Sequence, residues 1–133
     1  MVEEEQSQDE SLEEFLNRFK REYGALPEHH AMLGKYSPRV LKAYYDMRGA
    51  VMDDSPTGKL PKKMKELLAV AIMTVQGHSE GAWHHAKAAV RAGASVEEVQ
   101  EAVLICLLFG GLPTYAKSGM NAVKAAEEAK ADK

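Results

Sequence analysis

The chain has 133 residues, a formal charge of −3 and a single cysteine, Cys106, a size that suits one domain with a core needing no disulfide or structural metal. Acidic and basic residues are mixed along the chain, which argues against nucleic-acid binding, because such proteins concentrate a basic stripe. The N-terminus shows no secretory pattern and the apolar run Ala102–Phe109 is far too short to span a bilayer, so a protein with no membrane partner, cytoplasmic by its lone thiol, is expected.

Residues 1–10 carry the charge run Glu3, Glu4, Glu5 and almost no apolar content, and read as a disordered acidic tail. Residues 11–133 read as one all-helical domain of about six to seven helices with no sheet. Ser11 and Glu14 have capping-box spacing, and Leu12, Phe15, Leu16 and Phe19 form a helical stripe that Gly24 should end. A short helical turn over Pro27–Leu33 is closed by Gly34. Ser37 followed by Pro38 opens a helix carrying Val40, Leu41, Tyr44, Tyr45, Met47 and Val51.

The stretch Asp53–Gly58 is a loop. Pro61 starts a helix through Val75 whose apolar residues, Met64, Leu67, Leu68, Ala71, Ile72 and Val75, occupy more than one face. That breadth predicts a central helix covered on several sides. Gly77 breaks it. An alanine-rich helix follows over Glu80–Arg91, ending at Gly93. Ser95 and Glu98 form a second capping box before a helix that is wholly apolar by Val103–Phe109. Gly110, Gly111 and Pro113 make a turn, and the last helix runs from Thr114. So much apolar helix in a small chain predicts a homo-oligomer, with some of that surface covered by a neighbouring copy.

Histidines fall in two groups, His29 with His30 and His78 with His84 and His85. His78 follows Gly77 at a helix–turn–helix junction, where the next helix's dipole disfavours a protonated ring. His84 and His85 point about 100° apart. On the residues alone, His84 reads as a partly exposed surface residue and His85 as a hydrogen-bonded core histidine beside the Ala82, Ala86, Ala89 stripe. Glu66 reads as a helix-surface glutamate paired with Lys62 or Lys63, and otherwise as a partly buried acid–base carboxylate. Cys106 reads as a small buried hydrophobe and Trp83 as a packing residue.

Glu66–Ile72 resembles the helix that opens the carboxymuconolactone decarboxylase domain. His85, Ala89, Gly93 and Glu97-Glu98-Val99 are similar to that family's HxxxAxxxGxxxEEI helix-turn-helix, and Gly110-Gly111-Leu112-Pro113 resembles its glycine–proline turn. The resemblance implies an AhpD-like helical bundle assembled as a trimer or hexamer. In the AhpD-type alkylhydroperoxidase branch, a glutamate precedes a Cys-x-x-Cys-x-x-x-His motif. Matching that motif puts the glutamate at Glu66 and the histidine at His85, while His78 and Gly81 stand where the two cysteines belong. Dithiol peroxide reduction therefore has no sulfur to use, whatever the family label suggests.

The decarboxylase branch needs no thiol. It implies lyase chemistry on a small organic acid, with His85 and Glu66 as the acid–base pair, His78 assisting, and no cofactor. Trp83 departs from that branch's pattern, which often has a carboxylate two residues before the histidine. Two other readings use the same residues. His78 and His85 with Glu66 or Glu80 could form a metal site, or the protein could be a non-catalytic oligomer that has lost its thiols.

Overall fold

In the computed structural model the described residues are 11–23, 26–53 and 58–132. The acidic tail, Gly24 and most of the Asp53–Gly58 loop lie outside them. Every regular element among the described residues is helical, and no helix there is long and apolar enough to cross a membrane. Contacts gather the chain into two compact units, one running to Val51 and the other starting at Met52.

The first unit holds α1 (Leu12–Tyr23), α2 (Glu28–Tyr36) and most of α3 (Pro38–Met52). Ser11 caps α1 by accepting from the Glu14 N–H at 3.1 Å, and the Glu14 carboxylate accepts from the Ser11 N–H at 3.4 Å. The core of the unit is aromatic. Phe15 stacks on Tyr45 with ring centroids 3.9 Å apart, and the Tyr45 hydroxyl shares a 2.7 Å hydrogen bond with His30 Nδ1. Burial pushes the Tyr45 hydroxyl up to about 12, so it stays protonated. Gly34 does not close α2 as its sequence position suggested. It sits inside the helix, where an added Cβ would lie 3.0 Å from a Leu41 methyl, so close packing is what favours glycine there.

The second unit holds α4 (Lys62–Gln76), α5 (Ser79–Arg91), α6 (Val96–Gly110), the single turn α7 (Leu112–Thr114), a π-helical turn at Tyr115–Gly119 and α8 (Met120–Ala131). Pro61 precedes α4, and Gly77 ends it in the left-handed region at φ 76°, with the Gly77 and His78 N–H groups donating to the last α4 carbonyls. The second capping box forms fully: Ser95 Oγ accepts from the Glu98 N–H and the Glu98 carboxylate from the Ser95 N–H, each at 3.0 Å. The π turn interrupts what the sequence reads as one uniform last helix.

Small residues bring α5 and α8 together. Ala82, Ala86 and Ala89 on α5 share one core with Ala122, Ala125, Ala126 and Ala129 on α8, beside Val70, Val99 and Val103. Helix α4 is not covered on several sides by its own chain, as the breadth of its apolar pattern suggested. Glu66, Leu67, Val70 and Thr74 are buried, while Met64, Leu68, Ile72 and Val75 are exposed. On α6, Val103 and Cys106 are buried, but Leu104, Ile105, Leu108 and Phe109 face outward, and Phe109 is 83% exposed.

Candidate acid–base site

Glu66 sits on the second turn of α4, four residues before Val70 and eight before Thr74, on the face that packs against α5. It is fully buried, with no solvent exposure. The reading of Glu66 as a surface glutamate paired with Lys62 or Lys63 is therefore corrected: Lys62 lies 3.7 Å from Asp53 and Lys63 3.1 Å from Glu98 instead. A carboxylate in such a place needs partners, since an unpaired buried charge is costly.

Its partner comes from α5. The left-handed turn at Gly77 reverses the chain, His78 occupies the N-cap of α5, and two turns later His85 faces α4. His85 Nδ1 lies 2.8 Å from Glu66 Oε2. The His85 side chain is 19% exposed and that of Glu66 0%, so the imidazole spans the wall between the sealed carboxylate and the outside. A carboxylate can only accept, so it holds the proton on Nδ1 and leaves Nε2 as the basic ring nitrogen.

The other sequence candidates do not join this pair. His78 is exposed and makes no side-chain cap bond. His84 is partly exposed and lies 3.6 Å from Glu80 one turn away, as a surface helix pair. Among the described residues no three His, Cys, Asp or Glu side chains are grouped to hold a metal ion, so the set His78, His85 and Glu66 is not gathered as metal ligands within this chain. At Gly81, the second motif cysteine position, an added Cβ would come within 2.6 Å of Met73 Sδ, so the Met73 side chain would have to shift to admit it.

Cys106 is a free, buried thiol that donates to the Ala71 carbonyl at 3.3 Å, and burial pushes its ionisation up. It behaves as the hydrophobe its sequence context implies. Trp83 packs at the edge of the core, with Lys87 Nζ 5.2 Å from its ring centroid.

Three residues that sequence reasoning passed over also stand out. Thr74 is fully buried, yet its hydroxyl has no hydrogen-bond partner among the described residues. It lines a cleft with Lys117 and Ser118 of the π turn. The signal was present, because Thr74 continues the four-residue spacing from Glu66 and Val70 on the inward face of α4.

Comparison with known proteins agrees with this architecture. Residues 38–128 match the model of the carboxymuconolactone decarboxylase family. An uncharacterized protein of Cupriavidus necator is 31% identical over 98 residues, covering 74% of this chain and 78% of its own length. A crystal structure of a candidate carboxymuconolactone decarboxylase from Burkholderia xenovorans LB400 superposes with a TM-score of 0.79 at 30% identity, covering 92% of this chain and 96% of that one. The apo structure of a carboxymuconolactone decarboxylase family protein from Legionella pneumophila gives a TM-score of 0.68 at 25% identity, covering 84% and 96%. With the matched segment taking in α3 through most of α8, the chain belongs to the carboxymuconolactone decarboxylase family.

Proposed function

We propose that the protein is a decarboxylase-type lyase acting on a small organic acid, with Glu66 and His85 as its acid–base pair. The observation that carries this reading is the 2.8 Å contact between a fully buried carboxylate and a partly exposed imidazole. In such a reaction the substrate carboxylate leaves as carbon dioxide, and its bonding electrons remain on the adjacent carbon. That carbon then takes a proton from the protonated His85 ring, which is recharged from solvent. Glu66 orients the ring and stabilises its cationic form while the proton is in place.

His78, exposed at the N-cap of α5, is not needed for this step. Peroxide chemistry finds no support, because His78 and Gly81 stand in the motif's thiol positions and Cys106 is a buried thiol held protonated. A single free thiol of that kind suits a reducing, cytoplasmic setting.

The working form in this reading is a homo-oligomer of three or six copies, with the outward face of α4 and α6 buried between them. Ile72, Val75, Ile105, Leu108 and Phe109 are each more than half exposed in the single chain, an apolar surface that monomers seldom leave bare.

The test is carbon dioxide release from γ-carboxymuconolactone and a panel of small lactone and keto acids. His85→Ala should lower turnover at least 100-fold, in line with the loss of a general acid, while the oligomer stays intact. Turnover by the His85→Ala protein at the unmodified rate would remove the reading.

A further inference from the structure

A cleft of about 270 Å³ opens where the C-terminal end of α4 meets the π turn, with Thr74, Val75, Gln76, Pro113, Lys117 and Ser118 in its wall. The hydroxyl protons around it can be assigned one by one. Ser79 Oγ donates its only proton to the Lys117 carbonyl at 2.8 Å. Ser118 Oγ, 3.0 Å from Ser79 Oγ, must therefore be the donor in that contact. The Thr114 hydroxyl is committed to the Gly110 carbonyl at 2.9 Å.

Two donors remain. One is the Thr74 hydroxyl, fully buried and without a partner among the described residues. A buried hydroxyl in that state is destabilising. The other is the Lys117 ammonium, which lies along Gly77, where an added Cβ would stand 3.1 Å from Nζ. Lys117 has no carboxylate within ion-pair distance among the described residues. Lys117 is exposed, so water solvates its ammonium, and a cation beside an unpartnered hydroxyl suits an anionic acceptor. Pro113 in the same wall favours an anion that carries a short carbon skeleton over a bare inorganic ion.

We propose that this cleft binds a small organic carboxylate, whose oxygens accept from Lys117 Nζ and, as the wall yields to the ligand, from Thr74 Oγ1, while its apolar end lies against Pro113. The site is separate from the acid–base pair, because Thr74 lies eight residues, roughly 12 Å of helix rise, beyond Glu66. The inference does not rest on the decarboxylase reading.

The experiment is titration of the full chain with isobutyrate, following the backbone amide resonances of Gly77, Lys117 and Ser118 by NMR, with isobutylamine and inorganic phosphate as controls. Isobutyrate should shift these resonances and the controls should not. Lys117→Met and Thr74→Val should each weaken binding by about tenfold or more, as expected for a lost hydrogen bond to a charged group, and His85→Ala should leave it unchanged. Without ligand, Thr74→Val should melt higher than the unmodified protein, because it removes an unpaired buried hydroxyl of nearly the same shape.

Five results would overturn the proposal, four of them direct. The direct ones are no response to isobutyrate, an equal response to phosphate, unweakened binding in a folded Lys117→Met protein, or a lower melting temperature for Thr74→Val. Loss of binding in His85→Ala would also overturn it, by placing the carboxylate at the Glu66–His85 pair.

Discussion

Along the inward face of α4, Glu66, Val70 and Thr74 follow at intervals of four and are all fully buried. A turn of the same helix to the side, Met64, Leu68, Ile72 and Val75 are between 40% and 57% exposed. The inward face holds a carboxylate and a hydroxyl where hydrocarbon would stabilise more, and the outward face holds hydrocarbon where water would favour polar groups. Each face departs from simple sorting for its own reason. Inside, the Glu66 carboxylate meets His85, and Thr74 borders the cleft with its hydroxyl unpartnered among the described residues. Outside, the apolar row is consistent with burial against further copies of the chain.

The outward face supplies the largest expected effect. Phe109→Glu places a charge at the most exposed apolar side chain of α6, and on the proposed homo-oligomer reading it should yield monomers with little change in helix content. Light scattering after size exclusion reads the mass directly. An unchanged mass would show that this face is not where copies meet.

Next comes a pair of neighbours on α4. Leu67 is 8% exposed and Leu68 47%. In a monomeric background Leu67→Ala should cost about 2–4 kcal/mol of unfolding free energy through lost packing, and Leu68→Ala under about 1 kcal/mol. In the assembled protein the cost of Leu68→Ala should rise toward that of Leu67→Ala. Chemical denaturation in both backgrounds measures the four values, and a Leu68 cost that ignores assembly would count against burial of that face.

How much of this was legible in advance depended on whether a feature is local. Both capping boxes, the Pro61 start and the Gly77 stop could be read because each rests on residues within one helical turn. From the residues alone Glu66 could not be placed, because Lys62, Lys63 and Lys65 beside it make a surface setting in sequence; only the family resemblance paired it with His85. Only the angle at which α5 crosses α4 turns it inward to His85. The same limit hid the exposed half of α4, since hydrophobic periodicity tells which residues seek cover and not which chain provides it. The π turn at Tyr115–Gly119 has no signature in residue order, and Gly34 was misread because helix-ending and close packing both favour glycine.

The smallest predicted effect concerns Glu98, which caps α6 and pairs with Lys63 of α4 at 3.1 Å. The Ser95 backbone N–H, and after it the Lys63 side chain, hold its carboxyl below the usual carboxylate range. A lowered folded pKa adds stability that is present above the unfolded value, about 4.3, and is lost as pH falls through the folded one. The melting-temperature deficit of Glu98→Gln should therefore be constant from pH 7 to about 5 and shrink below about 4. A deficit that grows on acidification would contradict the assignment.

The central claim is that Glu66, sealed inside the second unit, sets the proton position on His85. Nitrogen-15 NMR of the His85 ring reads this directly, in the unmodified protein and in Glu66→Leu. The neutral ring should carry its proton on Nδ1 in the unmodified protein and lose that preference in Glu66→Leu. A proton on Nε2, or a ring spectrum unaffected by Glu66→Leu, would contradict the account.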